Sequence, residues 1–299
     1  MLRRSVAAAT VAVGTAGCSG LLPSSGGGTD VFSQWLPAPD AFGLDTYWFD
    51  YYDLETLAAQ RDNLGGEPDV YERTWRPLGF DWEDATAVVT VGSVDVVTAS
   101  FARADAESAL TDAGYDEGGS YKGYTLFRNG SAGRAVAVTE GTVLVSTTRQ
   151  DAAVVSGDPV DRIQTVVDAK AGSVDRYAAT DEDMRTLVDK LGAATFVDGT
   201  TLSGSDSTGP RSGRFRNLVA RGSTTEIAGD RTEEKWVYVY DSTTDVDLDA
   251  LRRYVEANKN GSARASDSFE TVADIEYTRD GRLGIITGTR AADEYWADA

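Results

Sequence analysis

The side chains that could do chemistry in this chain are almost entirely carboxylates. Its 299 residues include 48 Asp and Glu against 28 Lys and Arg, one Cys and no His, and the formal charge is −20. Without imidazole the chain cannot build a Ser-His-Asp triad, a Cys-His dyad or a His-ligated zinc site. One Cys cannot form an internal disulfide. The acidic charge also argues against nucleic-acid binding, because phosphates are neutralised by a basic surface.

The carboxylate pattern that most resembles a metal site lies near the C-terminus. Asp245, Asp247 and Asp249 alternate along the chain, and Glu256 stands where a calcium loop would place a ligand. This spacing is similar to an EF-hand loop, but Ala250 replaces the glycine that the sharp turn of such a loop needs. We therefore favour an acidic first helical turn, which the helix dipole stabilises, and keep calcium as the weaker alternative. The sequence predicts no cofactor.

Aromatic residues beside carboxylates could form a carbohydrate-binding face. Large aromatic side chains more often pack in a core, and core packing is the competing interpretation. Paired carboxylates could also hydrolyse a glycosidic bond. Among so many acidic residues some pair always lies close, and no Walker, Gly-x-Ser-x-Gly or Ser-x-x-Lys motif is present, so we predict no catalytic residue. The candidates for the carbohydrate face are Trp48, Tyr52, Trp75 and Trp82 with Asp50, Asp53, Asp81, Glu83 and Asp84.

The only Cys follows a segment with the composition of an export signal. Arg3 and Arg4 form a positively charged, twin-arginine start. Residues 6–16 are apolar but too short to cross a bilayer, which takes roughly 20 residues. Small residues then precede Cys18, and the segment resembles a lipobox. That resemblance implies cleavage before Cys18, a lipid on its thiol and anchoring to the extracellular face of the cell membrane. A plain signal peptide or an uncleaved anchor is the alternative.

Composition extends the resemblance to the whole chain. Strong acidity and only five Lys are similar to the secreted proteins of extremely halophilic archaea. At molar salt the Debye length is about 3 Å, so self-repulsion is screened and the acidic surface acts as a solubility device. With the lipobox and the strand entry at Tyr121–Tyr124, the chain resembles an uncharacterised envelope family of haloarchaeal lipoproteins exported by the twin-arginine route. The resemblance assigns no functional residue.

Composition also divides the chain into segments. Residues 1–17 are predicted to be the signal peptide, and residues 18–35 carry the lipidated Cys and a flexible Ser- and Gly-rich linker. The remainder has enough apolar residues for a packed core, and we divide it into an α+β domain over residues 36–192 and a second α+β half over residues 193–299.

Periodicity and capping residues predict five helices and ten strands. Strands that follow one another directly favour an α+β fold with antiparallel sheets and packed helices. Glu140-Gly141 and Asp280-Gly281 are predicted to turn two hairpins. The helices are predicted over residues 54–63, 104–113, 160–171, 182–191 and 248–257, and the strands over 46–52, 87–91, 95–101, 124–128, 135–139, 142–147, 217–221, 235–240, 272–278 and 283–287.

The two hairpins indicate an internal duplication. Gly141 and Gly281 correspond at an offset of 140, and so do Val143 and Leu283. Each segment has the order β-β-α-β-β, which predicts two similar halves, and convergent patterning is the alternative.

Two tripeptides match the N-glycosylation pattern, at Asn129 and at Asn260, although Asn-Gly is also a common turn.

These patterns lead to one expectation about function and two alternatives. We expect a membrane-anchored lipoprotein that acts as a non-catalytic binding or scaffolding module. Its partners would be the membrane, through the lipid, and an envelope protein or a small solute. The alternatives are a solute-binding lipoprotein of a transporter and a carboxylate-dependent hydrolase.

Overall fold

The computed structural model describes residues 28–64, 78–80, 84–147, 157–202, 215–259 and 269–297. Twelve strands in these ranges join into one sheet. The strands are β1 Trp48–Asp53, β2 Ala85–Val91, β3 Val94–Ala99, β4 Asp116–Tyr121, β5 Tyr124–Asn129, β6 Arg134–Thr139, β7 Thr142–Thr147, β8 Phe196–Thr201, β9 Leu218–Ala228, β10 Arg231–Tyr240, β11 Ala273–Asp280 and β12 Leu283–Ala291.

Helices cover this sheet from both sides. Among the described residues, none of them is both long and apolar enough to span a bilayer. Short 3₁₀ turns occupy Pro39–Phe42, Arg61–Asn63 and Thr243–Asp245. The helices are α1 Asp30–Ser33, α2 Leu54–Ala59, α3 Arg103–Asp112, α4 Pro159–Ala171, α5 Tyr177–Thr180, α6 Glu182–Leu191, α7 Leu248–Asn258 and α8 Ala292–Ala297.

The strand order is β11-β12-β10-β9-β8-β1-β2-β3-β7-β6-β5-β4. Every neighbouring pair is antiparallel, which confirms the predicted α+β class. The predicted sheets are one continuous sheet, because β1 and β8 pair at its centre. This pairing crosses the position at which the sequence was divided, between residues 192 and 193.

The two faces of the sheet are named here by residues of β1. Phe49 and Tyr51 point to one side, the Phe49 face, and Trp48, Asp50 and Tyr52 point to the other, the Trp48 face. A single apolar cluster covers the Phe49 face, under α1, α4, α5 and α6. The Trp48 face carries two separate clusters, one under α2 and α3 and the other under α7. The strip of sheet between these two clusters is where polar side chains collect.

Aspartates begin several of the predicted helices. The Asp53 carboxylate accepts a hydrogen bond from the Thr56 amide at 2.9 Å, and Asp181 accepts one from the Met184 amide at 2.8 Å. Each cap satisfies an amide that has no partner within its own helix. The helix predicted over residues 54–63 ends earlier, at Ala59, and a 3₁₀ turn follows it.

The predicted hairpins are present, one of them with a different turn. Glu140 and Gly141 connect β6 to β7 as predicted, and Gly141 has a φ of 65°. In the second hairpin Asp280 pairs directly with Leu283, so the turn residues are Gly281 and Arg282 rather than Asp280 and Gly281.

Candidate functional site

A cleft of about 530 Å³ opens on the Phe49 face where β1 ends. It is lined by the segment before β1, by α2 and α4, by the loop before β8, and by the strands β1, β2, β3, β7 and β9. Its charged lining side chains are Asp53, Glu55, Lys170 and Glu226, and its aromatic lining side chains are Trp35 and Tyr51. We call this site the acidic cleft, since it holds three carboxylates and one ammonium group.

Two of the carboxylates are held by hydrogen bonds to the backbone. Asp53 caps α2, and its second oxygen accepts a hydrogen bond from the Thr56 hydroxyl at 2.9 Å. Glu226 accepts one from the Thr195 amide at 3.1 Å. These bonds fix the positions of both carboxylates, and each oxygen keeps lone pairs for another donor.

The electrostatic environment of the acidic cleft is negative. Burial raises the pKa of Glu226, and the charge of Asp53 raises it further while hydrogen bonding to Thr195 opposes the shift. Burial also raises the pKa of Tyr51 to about 12, with contributions from the same two carboxylates. A potential that disfavours additional negative charge favours a positively charged group in the same space.

Lys170 also lines the cleft, near the end of α4. Its Nζ atom is 4.0 Å from the centre of the Trp35 ring, which is a cation–π distance. Burial lowers the pKa of Lys170. The ammonium group is therefore held in place against an aromatic ring instead of extending into solvent.

A band of polar side chains crosses the Trp48 face between its two apolar clusters. Asp95, Thr90, Asp50, Asp198 and Ser223 are directly opposed neighbours on five adjacent strands. Thr90 donates a hydrogen bond to Asp95 at 3.0 Å, and Ser223 donates one to Asp198. We call these five residues the polar band.

Trp48 stands beside this band, with 38% of its surface exposed. Its Nε1 atom donates a hydrogen bond to Asp50 at 2.8 Å. The guanidinium carbon of Arg221 lies 5.5 Å from the centre of its ring. Burial raises the pKa of Asp50 to about 6; the hydrogen bond from Trp48 opposes this shift, and the charge of Asp95 adds to it.

The residues predicted for a carbohydrate face are only partly together. Trp48, Asp50 and Tyr52 share one face of β1, but Tyr52 packs edge-on against Phe196, with ring centres 5.1 Å apart. Asp53 points to the other face and lines the acidic cleft.

The other predicted members of that face add nothing to this group. Asp84 is exposed just before β2. Trp75, Trp82, Asp81 and Glu83 lie outside the described residues.

The four carboxylates of the calcium alternative contact different partners. Asp247 caps α7 through the Asp249 and Ala250 amides. Asp245 accepts hydrogen bonds from Ser242 at 2.6 Å and Asn217 at 2.9 Å.

The remaining two form ion pairs with basic residues of α7 and its C-terminal end. Asp249 pairs with Arg252 at 2.6 Å, and Glu256 pairs with Lys259 at 2.8 Å. Across the described ranges, no three acidic or other metal-binding side chains converge on a point that could hold an ion.

The predicted modification sites fall in different parts of the chain. Asn129 ends β5, and its side-chain oxygen accepts hydrogen bonds from the Ser131 hydroxyl at 2.7 Å and the Ala132 amide at 3.1 Å. The tripeptide thus forms the turn before β6, and its glycosylation stays a prediction. The residues of the export signal, of the lipidation site and of the second glycosylation tripeptide lie outside the described residues: Arg3, Arg4, Cys18 and Asn260.

Sequence reasoning missed most of the cleft. Lys170 and Glu226 were assigned no role, because they lie 56 positions apart and belong to different elements. An available signal was a lysine near the end of an otherwise apolar helix face, in a chain with only five lysines. Asp198 was also missed, because only Phe196 and Val197 are apolar in the six residues of β8 and the strand itself was not predicted.

Comparison with known proteins identifies a fold but no family. No protein-family profile matches the sequence, and no curated protein sequence matches it. The structure is similar to crystal form III of TP0453, with a TM-score of 0.51 and 9% identity over 88% of this chain and 97% of that one. For crystal form I of TP0453 the TM-score is 0.49, at 10% identity over 86% and 94% of the two chains. At this identity the likeness to TP0453 shows a shared fold alone.

Proposed function

We propose that this chain is an exported, lipid-anchored protein that binds a small solute in the acidic cleft without catalysing a reaction. The observation that carries the binding function is the cleft itself. At about 530 Å³ it has the size of a small-molecule site, and it combines aromatic walls with a few fixed polar groups.

The charges in the cleft favour a zwitterion as the bound solute. Among the lining residues, Asp53 and Glu226 are held by backbone amides, and Lys170 is held by Trp35. A ligand ammonium group would pair with the carboxylates, and a ligand carboxylate would pair with the lysine. A purely anionic ligand would meet three carboxylates, whereas a zwitterion satisfies both signs. An α-amino acid or a short peptide has this chemistry.

Binding is tested by titrating the mature protein calorimetrically with the twenty common amino acids. We expect at least one to bind with saturation, and Glu226→Gln to weaken its affinity at least tenfold. Lys170→Met should also weaken it, because the ligand carboxylate loses its partner. Glu117→Gln, on the exposed strand β4, is the matched control and should bind as the natural protein does. Absence of saturable binding by all twenty would contradict the proposal of a zwitterion.

The lipid anchor rests on Arg3, Arg4 and Cys18 and on the linker that follows. Mass spectrometry of the protein purified from its own envelope at high salt should give a chain that begins at Cys18 and carries a lipid. Cys18→Ser should release the protein from the membrane fraction. A mass without lipid that retains residues 1–17 would show that the chain is not a processed lipoprotein.

The transporter alternative differs from the main proposal in its partner. A solute-binding lipoprotein delivers its ligand to a permease, so the two should co-purify when the ligand is present. A lipidated protein that binds a solute and purifies without a permease would favour the simple binding module.

The hydrolase alternative depends on the same carboxylates. Glu226 and Asp53 both line the cleft. The pKa of Glu226 is raised, as it is in carboxyl groups that act as general acids. A reproducible hydrolytic activity that Glu226→Gln abolishes would favour this alternative over binding alone.

We also propose that the sheet is built from two similar β-β-α-β-β halves. Strand order supports this idea. Reading outward from the central pair of β1 and β8, β2-β3-β7-β6 on one side corresponds to β9-β10-β12-β11 on the other, and in the chain α3 follows β3 as α7 follows β10. β4 and β5 would then be an addition to the first half. An experimental structure in which the two halves do not superpose would contradict the duplication.

A further inference from the structure

We infer that Trp48 and the adjacent part of the polar band form a second binding site, for a neutral carbohydrate. We call this site the Trp48 groove; it consists of Trp48, Asp50, Asp198, Arg221 and Ser223. It lies on the face of the sheet opposite to the acidic cleft, and it is independent of the solute that the cleft binds.

The first argument is the exposure of Trp48. Residue Trp48 is 38% exposed, and it is the one large apolar residue in the described ranges that lies exposed at the surface. An aromatic ring at the water interface offers an apolar surface on which the C–H groups of a sugar ring can stack. The ring is also fixed, because Nε1 donates a hydrogen bond to Asp50 at 2.8 Å and the Arg221 guanidinium lies 5.5 Å from the ring centre.

The second argument is the mixture of donors and acceptors around the ring. Asp50 and Asp198 can accept hydrogen bonds, Arg221 can only donate, and Ser223, which donates its one proton to Asp198, can accept from a ligand. Within the described part of the chain, the buried Nε atom of Arg221 has no acceptor. Arg221 and Asp50 carry opposite charges, so neither a cation nor an anion suits the whole groove. Hydroxyl groups both donate and accept without charge, so a polyhydroxylated neutral ligand suits every one of these groups.

The third argument is the size of the pocket beside the ring. A small pocket of about 20 Å³ is lined by Trp48, Asp198, Arg221, Ser223 and residues of β9 and β10. A single water molecule needs roughly 10–15 Å³ of such space. The pocket therefore accommodates one hydroxyl group, while the sugar ring itself would lie outside, against the exposed indole.

Titration of the mature protein with neutral oligosaccharides tests this inference. The probes are maltotetraose, cellotetraose and an α-1,6-linked mannotetraose. Their binding is measured by tryptophan fluorescence of the protein and by saturation-transfer NMR of the sugar. We expect at least one probe to bind with saturation. Trp48→Ala should raise its dissociation constant at least tenfold, and Arg221→Gln at least threefold. Failure of all three probes to saturate, or unchanged binding by Trp48→Ala, would overturn the assignment.

Matched variants separate the groove from the general properties of the fold. Trp48→Tyr keeps an aromatic ring and should bind within about threefold of the natural protein. Tyr277→Ala removes another ring that an arginine, Arg252, contacts at 5.3 Å, and it should leave binding unchanged. Glu226→Gln in the acidic cleft should also have no effect.

Charged probes test the neutrality of the ligand. Tetramethylammonium and glucuronate are titrated under the same conditions. Tighter binding of either ion than of every neutral oligosaccharide, with the same dependence on Trp48, would overturn the assignment to a neutral carbohydrate.

Discussion

Carboxyl groups that lie partly or wholly out of water contribute to the pH dependence of stability in this protein. Asp50 is the clearest case, because burial raises its pKa from 3.8 to about 6. The folded protein thus binds this proton more tightly than the unfolded chain does. The contribution of the group to stability is full below pH 3.8 and is lost as the pH rises through 6.

Asp50→Asn should therefore stabilise the protein above pH 6. The amide stays uncharged and can still accept the hydrogen bond from Trp48, so we expect a gain of about 1–2 kcal/mol in the free energy of unfolding at pH 7.5. Denaturant titrations between pH 4 and 8 measure this gain. Asp116→Asn, on the exposed strand β4, is the control. If the variant loses stability between pH 4 and 6 as steeply as the natural protein, Asp50 is not the group responsible.

A second residue-scale prediction concerns the buried ion pair between Glu234 and Arg290. The Arg290 Nε atom lies 2.9 Å from a Glu234 oxygen, and the two side chains are 3% and 4% exposed. Burial raises the pKa of Glu234, and Arg290 opposes that shift. Removing one partner leaves a buried charge unpaired, so Glu234→Gln should lower the free energy of unfolding by about 3 kcal/mol.

The double variant Glu234→Leu/Arg290→Met provides the contrast. Because both charges are removed, it should be less destabilised than Arg290→Met alone. Urea denaturation of the three variants gives the comparison. Equal losses in the single and double variants would mean that packing, and not the unpaired charge, determines the effect.

At the scale of elements, two glycines set how closely α6 approaches the sheet. Gly199 on β8 and Gly222 on β9 are directly opposed. A Cβ atom at Gly222 would lie 2.3 Å from the Asp198 carbonyl oxygen and 3.0 Å from a Leu191 methyl group of α6. The closest atom belongs to the backbone of β8, so relieving the clash requires the strand itself to shift.

Gly222→Ala should therefore destabilise the protein by about 2–3 kcal/mol, the usual cost of overpacking a core. Gly130→Ala is the control, because no atom lies within 4 Å of a Cβ atom built there. The melting temperatures of both variants and of the natural protein are measured by circular dichroism during thermal unfolding. A melting temperature for Gly222→Ala within 1 °C of the natural protein would contradict the close packing of β8 and α6 around Gly222.

At the scale of the whole molecule, the net charge of −20 predicts a strong dependence on salt. Like charges repel in the compact state, and the Debye length falls from about 10 Å at 0.1 M salt to about 3 Å at 1 M. We expect the melting temperature to rise by at least about 5 °C between 0.1 M and 2 M KCl.

Sucrose at matched osmolality is the control for this measurement. It is excluded from the protein surface and stabilises the folded state, but it does not screen charge. An equal rise in sucrose, or no rise in KCl, would show that charge repulsion does not limit stability. Exposed ion pairs such as that between Arg128 and Asp158 weaken in salt, but each contributes at most about 1 kcal/mol.

The sequence by itself determined the elements whose signals are local. The helix at Glu182–Leu191 agrees with its prediction at both ends, because an aspartate caps it, apolar residues follow helical spacing and a glycine ends it. The hairpin of β6 and β7 was predictable for the same reason, since alternation and a two-residue turn suffice. Trp48 and Asp50 were predictable as neighbours because they alternate on one strand.

Only the tertiary structure decided what depends on distant residues. β8 lies at the centre of the sheet, yet its Asp and Gly weaken the strand pattern, and pairing with β1 and β9 compensates for this. β4 is an exposed edge strand with two glycines and no buried residue, so its sequence carried no strand signal. The acidic cleft joins α4 to β1 and β9, and the Trp48 groove joins β1 to β8 and β9. Such sites arise from the order of strands in the sheet and from helix packing. Neither can be read from the periodicity of apolar residues or from composition.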